Sequence, residues 1–192
     1  GHGARAEDYL DRSRIPLELA VNGGPVSKWQ QFRLFSESTR GEAGRGVLFA
    51  AYTNLQFDDL GPLSRVVRAG RTVKEALDIG IRLAPLAFHR HQYSMVIEGD
   101  TTWLCFRDLD ESSLHHDMNT QMTLAAFLRV IRLLTGERDW CPRAMRWHGK
   151  TCDAHQSVPG WENCQAIGGC KVAGLAFPTR FLARRLPAVV KT

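Results

Sequence analysis

The hydrophobic spacing of this chain changes twice between residues 72 and 134, and those two changes restrict its fold more than any single residue does. Thr72-Val73-Lys74-Glu75 has the spacing of a helix capping box, in which a threonine oxygen and a glutamate carboxylate satisfy the first free amides of a helix. Behind it Val73, Ala76, Leu77 and Ile81 recur at helical intervals, which predicts a helix to about Leu83 with that face inward. After Pro85 the interval drops to two. Tyr93, Met95 and Ile97 alternate up to Glu98-Gly99-Asp100, and Thr102, Leu104 and Phe106 alternate after it, the pattern of a hairpin about a glycine-containing turn. Helical spacing returns over residues 114–134, with Leu124, Phe127, Leu128, Ile131 and Leu134 on one stripe. Arg129 and Arg132 fall on the other side as exposed helix residues, and Gly136 stops the helix.

The flanking segments fit around this centre. Residues 6–22 give a polar start and a short apolar segment, IPLELAV, closed by the breaker cluster Asn22-Gly23-Gly24-Pro25. Helix resumes at Val26, with Trp29, Phe32, Leu34 and Phe35 in helical spacing to Glu37, and SESTRGEAGRG reads as a loop. The apolar run GVLFAAYT at 46–53 reads as a buried strand, Asp58-Asp59-Leu60-Gly61-Pro62 as a turn, and residues 63–71 as a short helical piece. Beyond the long helix, residues 140–147 suggest a strand, 156–165 a short helix or loop, and 172–177 a last strand. The fold class is α+β: a small antiparallel sheet or hairpin with several amphipathic helices. A length of 192 residues with 44% hydrophobic residues suits one such domain.

Charge narrows the partners. Lys and Arg number 25 against 20 Asp and Glu, a net +5, which favours an anionic partner on a surface of mixed sign. No run reaches the roughly 20 apolar residues of a membrane-spanning helix, and no signal peptide is evident, so a cytoplasmic protein is expected. Cys105, Cys141, Cys152, Cys164 and Cys170 are an odd set in a chain large enough to fold without staples, and are read as reduced thiols. Gly1-His2-Gly3 reads as a cut or a tag remnant, which leaves room for a longer native protein.

The densest chemistry lies in LAFPTRFLARRLP, residues 175–187. Arg180 and Arg184 form the only Arg-x-x-x-Arg spacing in the chain. With Pro178 opening a helical turn, their guanidinium groups would sit one turn apart on one face and grip one anion. A guanidinium fork fits phosphate oxygens, or O6 and N7 of a guanine, and charge-assisted contacts of this kind are roughly twice as strong as neutral ones. The adjacent Arg185 and Phe181 join this candidate ligand site; the alternative is a solvated helix face. Arg65, Arg68 and Arg71 form a possible second anion-binding face, or a solvated edge. Trp147, Trp161, Phe177 and Phe181 are expected in the core rather than in a ligand cage. A competing constellation is His148, Cys152, His155, Cys164 and Cys170, zinc-type ligands at irregular spacing. His89, His91, His115, His116 and Asp117 invite a catalytic reading, but neighbours on a helix point about 100° apart, and no nucleophile elbow or phosphate loop is present. No catalytic residue and no cofactor are assigned.

The order of these pieces resembles the N-terminal effector-binding, arabinose-binding-like domain of AraC-type transcription regulators. The resemblance rests on DDLGPLSRVVRAGRTVKEALDIG at 58–80, on the hairpin and long helix that follow, and on the LAFPTRFLARRLP ending. It covers 46–187 and leaves the first forty-odd residues outside. The organisation it implies is an N-terminal extension with a first helix at 1–45, an effector-binding domain at 46–187 and the start of a linker at 188–192. Such domains sense a small ligand and often form homodimers, and DNA is bound only by a C-terminal pair of helix-turn-helix units absent from this chain. The Arg180/Arg184 pair further resembles the arginine motif of PilZ cyclic di-GMP receptors. His155-Gln156-Ser157-Val158-Pro159-Gly160 resembles their Asp/Asn-x-Ser-x-x-Gly element, with histidine in first position and the two elements in reverse order. That likeness implies an anionic effector, cyclic di-GMP, with Ser157 and Gly160 added to the ligand site. A neutral or carboxylate metabolite held elsewhere in the domain is the first alternative, and a zinc-dependent domain or enzyme the second.

Overall fold

The computed structural model describes residues 6–39, 47–53, 55–56, 62–88, 90–109, 116–149, 154–157 and 160–188. Contacts divide the chain into two units, Gly1–Leu48 and Phe49–Thr192. In the first unit lie α1 (Ala6–Arg12), α2 (Leu17–Asn22) and α3 (Lys28–Ser38). Helix α3 begins where Ser27 and Gln30 make a reciprocal capping box: the serine hydroxyl accepts from the Gln30 amide at 3.2 Å and Gln30 Oε1 from the Ser27 amide at 3.1 Å. The expected start at Val26 is therefore two residues early. Among the described residues of this unit Ile15 and Phe35 are the buried apolar ones, and Arg12 pairs with Glu37 at 3.5 Å.

The run GVLFAAYT is a helix, α4 (Val47–Thr53), not the expected strand. A short apolar run without polar alternation fits either state, and Ala50 and Tyr52 both pack against the core. Then follow α5 (Pro62–Val67) and α6 (Val73–Ala87). Thr72 caps α6 through Oγ1, which accepts from the Glu75 amide at 3.2 Å. The glutamate does not reciprocate as a capping box requires; its carboxylate accepts from the Arg71 amide at 2.8 Å instead. Val73, Ala76 and Leu77 are buried as the spacing predicts, and the helix continues past Leu83 through Pro85 in its last turn, giving up the one bond that the proline nitrogen cannot donate.

Strands β1 (His91–Glu98) and β2 (Thr101–Asp108) pair from His91↔Asp108 to Glu98↔Thr101, so the turn is Gly99-Asp100, with Gly99 at φ 60°. Helix α7 (His116–Thr135) carries the predicted stripe, every member of it buried, against β2 and β5. Strand β3 (Ala144–Arg146), a 3-10 turn (Ala154–Ser157), β4 (Gln165–Ile167), β5 (Ala173–Pro178) and a 3-10 turn (Thr179–Ala183) complete the unit. The sheet order is β1-β2-β5-β3-β4, so the last strand lies in the middle, antiparallel to both neighbours, while β3 and β4 run parallel.

Strand β2 is buried on both faces. Leu104 and Phe106 face the main core; Trp103 and Cys105 face a smaller cluster with Ala176. Over that second face the Arg146 guanidinium lies 4.0 Å from the Trp103 ring centroid and bonds Glu98 at 3.0 and 3.2 Å, which holds the Glu98 carboxyl below its ordinary value of 4.5. Burial pushes the Cys105 thiol up, as suits an inert core cysteine. Trp147, Trp161, Phe177 and Phe181 are core residues, as expected. Arg129 and Arg132 are not idle surface residues: Arg129 bonds the Leu55 carbonyl and Gln56, and Arg132 Nε donates to the Trp140 carbonyl at 2.6 Å. No helix among the described residues is long and apolar enough to cross a membrane.

Candidate functional site

Strand β5 delivers the arginine segment. Its end is pinned to the hairpin turn, where the Thr179 amide donates to the Asp100 carbonyl at 2.8 Å and the Thr179 hydroxyl to the Gly99 carbonyl at 2.9 Å. Pro178 flanks the turn that follows, which is 3-10 rather than α and ends at Ala183; Arg184 is already extended at φ −66°, ψ 141°. The helical-face argument for Arg180 and Arg184 therefore does not hold, because a 3-10 turn has three residues per repeat and Arg184 is outside it. Both guanidinium groups are nevertheless drawn to one ring and line one cleft. Both lie over the Phe181 ring, Arg180 at 5.8 Å and Arg184 at 4.6 Å from its centroid. Phe181 is 3% exposed and is held from the side by Trp140, ring centroids 5.8 Å apart in a T-shaped pair.

The segment after α7 forms the opposite wall. Gly136 ends that helix, its amide donating to the Arg132 carbonyl at 3.0 Å, and Glu137-Arg138-Asp139-Trp140 turn toward the arginines. Between them is an open cleft of about 530 Å³, within the range of small-molecule sites. Its charged lining holds three guanidinium groups, on Arg138, Arg180 and Arg184, and two carboxylates, on Glu137 and Asp139. Glu137 Oε1 lies 2.5 Å from Arg184 Nη1. Among the described residues no carboxylate pairs with Arg180, which is exposed. Such a lining can grip phosphate or purine acceptors with guanidinium forks and accept base N–H groups on a carboxylate.

The remaining expected residues lie elsewhere. Arg185 is exposed and bridges Thr72 through its backbone, flanked by bonds from the Val73 amide to the Arg184 carbonyl at 2.9 Å and from the Leu186 amide to the Arg71 carbonyl at 3.2 Å. Ser157 ends the 3-10 turn after β3. Gly160, at φ 90°, is so close to Arg132 that a Cβ there would lie 2.5 Å from Nη2. Neither residue lines the cleft, so the Ser-x-x-Gly element is not brought to Arg180 and Arg184. Of the second basic face, Arg65 is exposed and Arg71 pairs with Glu75 at 3.4 Å. In the zinc-type constellation, His155 Nε2 bonds the Cys164 carbonyl at 2.9 Å, and Cys152 lies outside the described residues, as do His89 and His115. Among the described residues no three His, Cys, Asp or Glu side chains are grouped to hold a metal. Sequence reasoning missed Glu137 and Trp140; the only signal was the charged run directly after the helix-stopping Gly136.

The model of the arabinose-binding domain of AraC transcription regulators, N-terminal, matches residues 3–186. The match begins at Gly3, so it takes in the first forty residues that the sequence resemblance left outside. No curated protein sequence matches the chain. The fold is similar to that of the transcriptional regulator CdpR from Pseudomonas aeruginosa, with a TM-score of 0.61 at 16% identity over 97% of this chain. This chain spans 58% of that protein's crystallised chain. With the family model matched from Gly3 to Leu186, across both units, this chain belongs to the N-terminal arabinose-binding domain family of AraC transcription regulators.

Proposed function

We propose that the chain is the ligand-sensing part of an AraC-type transcription regulator, and that its effector is an anion bound in the cleft between the end of α7 and the 3-10 turn after β5. The observation that carries this reading is that Arg180 and Arg184 each lie against the Phe181 ring and both line that cleft. Cyclic di-GMP is the best-fitting effector we can name. Its phosphates suit the guanidinium forks, and a guanine offers O6 and N7 to an arginine and its N–H groups to a carboxylate such as Asp139. Its mechanism would be a population shift, the effector favouring one arrangement of the domain and so the state of a DNA-binding part elsewhere in the regulator. Homodimerisation would supply the two-fold partner of a paired DNA site.

Calorimetric titration with cyclic di-GMP tests this reading. Arg180→Ala and Arg184→Ala should each remove a charge-assisted contact of about 1.5–3 kcal/mol, a roughly ten- to hundredfold weaker constant. Undiminished binding in both variants would refute the arginine assignment, and no binding by the parent chain would remove this effector.

A further inference from the structure

The first turn of α7, twenty residues before the cleft, contains polar atoms for which neither the fold nor the cleft has a use. We infer that His116 and His148 form a binding site for a divalent transition-metal ion of the zinc, nickel or copper kind. His116 is the first residue of α7 and His148 follows β3; their ring centroids are 4.3 Å apart, with the planes at 58°. Nδ1 of His116 and Nε2 of His148 are both shut off from solvent, and neither has a hydrogen-bond partner. Thr120 Oγ1, four residues along the same face of α7, is buried and unpartnered too. Buried polar atoms nearly always have partners, because leaving one without forfeits its hydration for nothing in return. Two such nitrogens on adjacent rings are accounted for together by one ion that takes both lone pairs.

The spacing agrees. With imidazole nitrogens about 2.0–2.1 Å from a metal and roughly 1.2 Å from their own ring centres, centroids 4.3 Å apart subtend roughly 85°, close to the cis angle of a tetragonal or octahedral centre. The ring of His148 gives a hydrogen bond to the Cys170 backbone, the outer support that metal-bound histidines ordinarily have, and it leaves Nε2 as the lone-pair nitrogen. Asp108 and Asp117 lie near enough to act on His148, and their charge offsets that of a cation. Among the described residues the neighbouring thiols are engaged elsewhere: Cys170 Sγ donates to the Ile167 carbonyl at 3.3 Å, and Cys164 is buried beside His155.

Metal-free chain titrated by calorimetry with Ni²⁺ and, separately, Zn²⁺ should take up one ion per chain. His116→Ala and His148→Ala should each abolish that saturable step, and Cys170→Ser should leave it intact. Cobalt-loaded chain should show visible d–d absorption without a thiolate charge-transfer band. Selective broadening of the His116 and His148 ring protons by Cu²⁺ in the parent chain decides the assignment even if a histidine variant fails to fold. No saturable uptake, uptake retained in both histidine variants, a thiolate band with cobalt, or broadening centred on other histidines would overturn it.

Discussion

Arg184 already has an anion. Glu137 holds it at 2.5 Å, with both side chains between one third and one half exposed, so an effector phosphate must displace a resident carboxylate before it can take the same fork. A half-exposed pair of this kind is worth about 0–1 kcal/mol, so Glu137→Gln should tighten cyclic di-GMP binding by up to roughly fivefold. The same calorimetry reads the change; weaker binding in this variant would mean that Glu137 holds the ligand rather than competes with it. The arginines themselves were legible as a spacing, Glu137 was not. An ion pair between positions 137 and 184 depends on how the chain returns, and no local pattern encodes that. Arg129 and Arg132 show the same limit: their side of α7 is readable from the stripe, but their loop carbonyl partners are set by tertiary path. Gly160 shows the converse, where a short motif matched by type but its glycine lies against Arg132 and outside the lining of the arginine cleft.

Helix α6 owes its seat to a close approach. A Cβ on Gly70 would lie 2.7 Å from the Ala76 amide nitrogen and 2.9 Å from its Cα, and a backbone cannot swing aside as a long side chain can. Gly70→Ala should therefore destabilise the domain by about 1–3 kcal/mol, the usual range for overpacking, measured by urea unfolding. A change within about 0.5 kcal/mol, as for an ordinary surface substitution, would show that α5 and α6 can separate freely. At this scale the sequence was most readable. The cap at Thr72, the alternation of the hairpin and the stripe of α7 each follow from a period that burial on one face imposes. Failure came where no period exists. GVLFAAYT has no polar alternation to mark a face, so helix and buried strand could not be separated. In the pairing at Thr72, threonine behaves as the motif predicts, but Glu75 finds the Arg71 amide because the chain before the cap is itself turned toward the helix.

For the whole molecule, residues 184–186 act as a closing strap. They pair by backbone with 71–73 at the start of α6, Leu186 is 6% exposed in the main core, and the Pro187 ring packs 3.3 Å from where a Cβ on Gly136 would be. Leu186→Ala should cost about 2–5 kcal/mol in chemical denaturation, as for a buried leucine, whereas a loose tail would show almost none of this. The α+β class was legible from the order of periods, but the sheet order was not, since a strand's neighbours are chosen by packing of both its faces. The position of β5 has a consequence in time. It is the last strand among the described residues and lies between β2 and β3, so the hairpin and the β3–β4 pair share no backbone ladder until it is inserted. On a ribosome the sheet cannot close before Pro178 has left the exit tunnel, and long-range pairing of this kind is slow. The hairpin waits as an open edge through that interval, and the arginine cleft, carried on the same late segment, is assembled last of all.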